Sequence, residues 1–96
     1  MEPANSDIIV SDVVVSRAGR DQGEWFYVID ADPVYLFLAN GKDRTMEKPK
    51  RKKRKHVQKV LRSETRVAAK LRSGDKVLNG ELRRDLAFLA REFASE

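Results

Sequence analysis

Apolar positions fall into short runs separated by polar, glycine-rich or proline-containing breaks. The first run, Ile8-Ile9-Val10 and Val13-Val14-Val15, is interrupted by Ser11-Asp12. β-Branched side chains restrict χ1 and favour extended backbone, so 8–16 reads as a strand kinked or bulged near Ser11-Asp12. A polar loop follows, with glycines at 19 and 23, and then a second strand over Trp25 to Ile29. Asp30-Ala31-Asp32-Pro33 has turn chemistry. Val34 to Ala39 is a third strand, and Asn40-Gly41 predicts a tight hairpin with positive φ at both residues. A short return strand is expected over 44–47, until Pro49 stops regular pairing. His56 to Leu61 is a candidate closing strand. Four or five short strands are too few to bury both faces of a flat sheet, which predicts a mainly β fold curled into a small barrel.

The period changes after residue 62. Glu64 to Arg72 carries good helix formers, with Ser73-Gly74 as a stop. Asn79 is a candidate N-cap for a second helix, roughly Gly80 to Ala94. There Leu82, Leu86, Leu89 and Phe93 recur at spacings of four, three and four and make one apolar stripe. The organisation expected is a loose tail over 1–7, a barrel over 8–62 with a basic loop at 48–56, and one or two C-terminal helices within 63–96. The stripe is expected to pack on the barrel; its alternative use is docking on a partner.

Length limits the picture to one domain, since 96 residues hold one core. The chain has no cysteine, which excludes thiolate chemistry, disulfides and cysteine-rich zinc sites and agrees with a cytoplasmic location. The first seven residues lack the basic and apolar regions of a secretory signal, and no apolar run approaches the ~20 residues that span a bilayer. No Ser-His-Asp arrangement, phosphate-cradling loop or metal cluster is visible, so neither catalysis nor a cofactor is expected.

Charge changes the picture most. From Lys42 to Lys59 there are ten Lys or Arg against two acids, a local charge of +8, so the remainder of this +5 chain carries −3. Six cations are consecutive: Lys50, Arg51, Lys52, Lys53, Arg54 and Lys55. Like charges repel, so such a run predicts an extended, solvated loop that meets a polyanion. His56 beside it is a poor metal ligand and a better phosphate or strand-end contact. Trp25, Tyr27, Tyr35 and Phe37 are candidates for stacking on bases; strand alternation sends about half of them to the core, and which half is left open.

Val13 to Gly23, followed by apolar Phe26 and Val28, resembles a KOW motif. The wider stretch 18–57 resembles the KOW-domain family of ribosomal proteins known as the fourteen-e, six-e and twenty-seven-e group, and most of all its short bacterial RNA-binding relatives. The matching segments are 19–26, 35–41 and 47–56. The resemblance implies an SH3-like barrel that binds structured RNA, ribosomal RNA or the ribosome included, without catalysis. Gly19, Asp21 and Gly23 would form the KOW turn. Arg17 and Arg20 in that loop, with Lys42, Arg44, Lys48, Lys50, Arg51, Lys52, Lys53, Arg54, Lys55 and His56, are the expected RNA contacts. Six phosphates neutralised would give a log–log salt slope of about −4 on single strands or about −5 on duplex. Replacing Lys52, Lys53 and Arg54 together is expected to weaken binding and spare the fold. The alternative reading is a protein-interaction adaptor that uses the barrel and the C-terminal amphipathic helix.

Overall fold

The computed structural model describes residues 6–95. Five strands form one antiparallel sheet: β1 (Asp12–Ser16), β2 (Trp25–Ala31), β3 (Tyr35–Ala39), β4 (Lys50–Lys53) and β5 (Val57–Arg62), in the order β4-β3-β2-β1-β5. A 3-10 turn, Arg54–His56, joins β4 to β5, and two helices follow, α1 (Arg66–Ser73) and α2 (Asn79–Ala94). Among the described residues the two edges, β4 and β5, are not paired with each other, so the sheet is open and the expected closed barrel does not form. Helix also accounts for nearly as much of the chain as strand, so the fold is less predominantly β than expected.

Both faces of the sheet are buried, by different means. On one face, Val14, Phe26, Val28, Leu36, Leu38 and Val57 pack with Ile8, which folds over from the N-terminal segment. On the other, Val13, Tyr27 and Ala39 meet Val67 and Ala68 of α1, Leu82 and Leu86 of α2, and Val77 from the linker between them. Strand alternation assigns the residues, with Val13 and Val14, or Phe26 and Tyr27, going to opposite faces. Bulges interrupt the β1–β5 register between Val13 and Val14 and the β2–β3 register between Val28 and Asp30. A bulge bends its strand and increases twist, which helps these strands wrap the first core.

The expected kink at Ser11-Asp12 is a true strand start. Ser11 has φ 78° and Asp12 folds back, its carboxylate accepting from Ile9 N at 3.0 Å, so β1 begins at Asp12 and not at Ile8. That buried carboxylate also lies 3.0 Å from Arg62 Nε and 3.4 Å from Lys59 Nζ. Of the tail expected over 1–7, residues 1–5 lie outside the described residues; Asp7 is tied to β5, its carbonyl accepting from Arg62 Nη2 at 3.1 Å.

The hairpin after β3 is also different. Gly41 has φ 77°, but Asn40 does not have positive φ; its side-chain Oδ1 instead accepts from the N–H of Lys42 and Arg44 at 2.9 and 3.1 Å. Residues 44–47 are not a strand. Met46 N donates to Asn79 Oδ1 at 2.8 Å, which draws this stretch to the start of α2 and delays the return strand until after Pro49. Asn79 therefore serves the loop and not the helix as a cap; Glu81 accepts from Leu78 N at 2.9 Å in that role.

α1 and α2 are fastened to the sheet by a buried polar network. The Tyr27 hydroxyl donates to the Asp85 carboxylate and lies 2.8 Å from Ser63 Oγ, while Thr65 Oγ1 donates to Asp85 at 2.8 Å. Thr65 is also the N-cap of α1, accepting from Ala68 N. Burial and then the neighbouring Asp85 push the Tyr27 pKa up to about 12. Leu82 and Leu86 of the predicted stripe are buried, Leu89 packs beside them, and Phe93 remains half exposed. The stripe behind the adaptor reading thus lies mostly on its own sheet.

Candidate nucleic-acid interface

The basic run is not a loop. Lys50 to Lys53 form edge strand β4, hydrogen-bonded to β3 with Tyr35 opposite Lys53, Leu36 opposite Lys52, Phe37 opposite Arg51 and Leu38 opposite Lys50. Lysine-rich edge strands resist pairing with other chains, so the composition suits the position. Period-two alternation then sorts the six cations into two sets.

The first set is internal. Lys52 is only 7 % exposed; its Nζ donates to Asp21 Oδ1 at 2.7 Å and to the Ala18 carbonyl at 2.6 Å. Ser16 Oγ donates to the same Oδ1 at 2.7 Å. Lys50 Nζ lies 3.1 Å from Asp21 Oδ2, an ion pair without hydrogen-bond alignment. Burial acts to raise the Asp21 pKa, but hydrogen bonds from Lys52 and Ser16, with the ammonium of Lys50 alongside, outweigh it and hold the carboxyl well below the usual carboxylate range. Arg54 is turned inward as well, with Nη1 donating to the Ile8 carbonyl at 2.9 Å and Nε to the Asp32 carbonyl at 2.9 Å. Replacing Lys52 and Arg54 therefore removes internal contacts, so the triple substitution expected to spare the fold would not.

The second set, Arg51, Lys53 and Lys55, is exposed. The Arg51 guanidinium lies over the Tyr35 ring, 4.5 Å from its centroid, a cation–π contact that leaves its charge at the surface. His56 is half-buried, and its carbonyl accepts from Arg17 N at 2.8 Å. That bond draws the exposed Arg17 to the end of the basic run.

Gly19 and Gly23 both take positive φ, 85° and 92°, as a tight strand connection requires. Gly23 N donates to the Ser16 carbonyl at 2.9 Å and Glu24 N to the Asp21 carbonyl at 2.9 Å, which closes the turn. Arg20 is exposed on it. Asp21, expected only as a turn residue, is the anchor that pins this loop to β4. The signal for it is present in the sequence: one acid in the loop, and two lysines two positions apart that a strand would turn to the same side.

Lys42, Arg44 and Lys48 are exposed on the long 40–49 loop. Lys42 shares a cleft of about 350 Å³ with Glu24, Trp25, Asn40 and Asp43. Of the aromatic candidates, Tyr27 is core, Tyr35 and Phe37 are half-buried on the outer side of β3, and half-buried Trp25 packs edge-to-face on Phe93 with centroids 5.4 Å apart.

The arrangement presents exposed cations from three segments, Arg17 and Arg20, Lys42 and Arg44, and Lys53 and Lys55, on a frame held by Asp21. Among the described residues no cluster of metal-ligating side chains occurs and no helix is long and apolar enough to cross a membrane. No protein-family model matches the chain and no curated protein is significantly similar to it, so the KOW resemblance rests on its three sequence segments.

Proposed function

We propose that this protein binds RNA without catalysis, through an open SH3-like sheet whose exposed cations contact phosphates. The observation that carries the reading is the division of the basic run. Lys50, Lys52 and Arg54 bind the protein to itself, whereas Arg51, Lys53 and Lys55 face solvent, as do Arg17 and Arg20. Exposed cations that make no ion pair at those three positions among the described residues are what a phosphate backbone requires, since each contact releases condensed counterions. The strand order, the 3-10 turn before β5 and the glycine turn holding Asp21 support an SH3-like, KOW-type frame. That frame and the resemblance favour structured RNA, ribosomal RNA included, over other polyanions.

Because part of the run is internal, fewer phosphates are engaged than the count of charges suggests. With about four contacts, log K should fall with log salt at a slope of about −3 on single strands and about −4 on duplex. Fluorescence anisotropy with labelled RNA over a salt series measures this. A slope near zero, or tighter binding to duplex DNA than to RNA, overturns the proposal.

A further inference from the structure

We infer that the cleft between β1, β5 and the end of α2 is a slot for one unpaired nucleobase, with Trp25 and Phe93 as its aromatic walls. The inference rests on the RNA-binding reading and adds to it a recognition element that phosphate contacts do not supply.

α2 covers the outer face of the sheet only as far as Phe93. Past that point Val15, Val60, Gln58 and Arg17 join Trp25 and Phe93 in lining a cleft of about 290 Å³. That volume is near the ~300 Å³ at which small-ligand pockets begin, which suits a single planar ring and not a bulky ligand. Phe93 is 50 % exposed, and its ring stands at 79° to that of Trp25. Edge-to-face packing leaves both faces of one ring free of the other, where a parallel stack would have closed the space.

The polar groups select the occupant. Gln58, exposed and opposite Val15 in the β1–β5 register, offers an amide with both donor and acceptor, the complement of a base edge. Lys59 also lines the cleft, but it is paired with Asp12 and Asp7 at 3.4 and 3.6 Å. The exposed Arg17 is then the cation left for the ligand, and its N–H is bonded to His56 at the end of the basic run. A base stacked on the ring face that the edge-to-face contact leaves open would have its phosphate near Arg17, and the strand could continue toward Lys55.

Trp25 is the chain's one tryptophan, so its emission reports the slot directly. A short single-stranded RNA and the blunt duplex made from it are titrated into the intact protein, reading anisotropy for binding and tryptophan emission for occupancy. The single strand should quench Trp25, while the duplex binds with its emission unmoved. Phe93→Ala should weaken single-strand binding roughly 5- to 150-fold, the equivalent of the ~1–3 kcal/mol of one base–aromatic stack, and leave duplex binding unchanged. Gln58→Leu, on the exposed strand surface, should alter the preference among single strands of different base and serves if Phe93→Ala unfolds. Binding of both RNAs with Trp25 silent and both variants neutral overturns the slot and leaves the phosphate reading standing. Failure of both RNAs to bind overturns the two together.

Discussion

Lys52→Met removes one ammonium from the basic run while keeping the bulk of the side chain, and its effect separates an internal lysine from a surface one. In the protein, Lys52 Nζ satisfies Asp21 Oδ1 and the Ala18 carbonyl at 2.7 and 2.6 Å with only 7 % of the residue exposed. Breaking a buried ion pair from one side costs about 3–5 kcal/mol because the remaining charge is left without its partner. Asp21 keeps Ser16 at 2.7 Å and Lys50 at 3.1 Å, which places the expected loss at the low end, about 3 kcal/mol. For a domain of this size that corresponds to a fall in Tm of roughly 12–24 °C. Urea denaturation followed by Trp25 emission measures the free-energy change. The control is Lys53→Met, one position along and exposed, which should stay within about 0.5 kcal/mol of the parent.

Acid gives an independent check on the same cluster. The folded-state pKa of Asp21 is depressed, so its contribution is complete above the unfolded value of ~3.9 and is lost as pH falls through the folded one. The stability gap between the parent and Asp21→Asn should therefore be constant at neutral and weakly acidic pH and should close as pH drops below about 4. If Lys52→Met and Lys53→Met are equally mild, or if the Asp21→Asn gap ignores pH, the division of the run into internal and external cations is wrong.

Two further predictions concern the frame. An added Cβ at Gly41 would lie 2.2 Å from the Asn79 carbonyl oxygen, on backbone with φ +77°, so Gly41→Ala should lower stability by more than the ~1–2 kcal/mol of the left-handed conformation alone, measured by urea denaturation. Tyr27→Phe leaves Asp85, Ser63 and Thr65 without a shared hydroxyl and should cost about 1–3 kcal/mol. In an ultraviolet-absorbance titration, one of the two tyrosines should ionise only at about pH 12, and Tyr27→Phe should abolish that step.

Where side-chain class changes along the chain, the fold is readable from the sequence. The β-branched and aromatic runs form β1, β2 and β3, the glycines at 19 and 23 lie in the loop between β1 and β2, and the stripe from Leu82 forms the buried side of α2. Expectation and structure part where local pattern is silent or misleading. In Lys50 to Lys53 every residue is a cation, so an alternation between inside and outside leaves no polar–apolar trace, and a strand reads as a loop. What turns Lys50 and Lys52 inward is Asp21, some thirty residues earlier in the chain, a partner that no local window contains. The 44–47 stretch departs for a similar reason, since Asn79 captures the backbone of Met46 from a distant helix. Openness of the sheet is also beyond local pattern, because the helices cover one face and remove the need to close a barrel.

The central claim, that the exposed cations hold RNA while their neighbours in the basic run hold the protein, is tested most directly by a salt series on Arg17→Gln, Lys53→Gln and Lys55→Gln combined. All three side chains are exposed, so the triple variant should unfold within about 1 kcal/mol of the parent while its affinity for different RNAs falls. Every phosphate that is no longer neutralised reduces the magnitude of the log–log slope by about 0.9 on duplex RNA, so the slope should shrink by roughly 2.7. A triple variant that keeps both the parent's affinity and its slope would contradict the account.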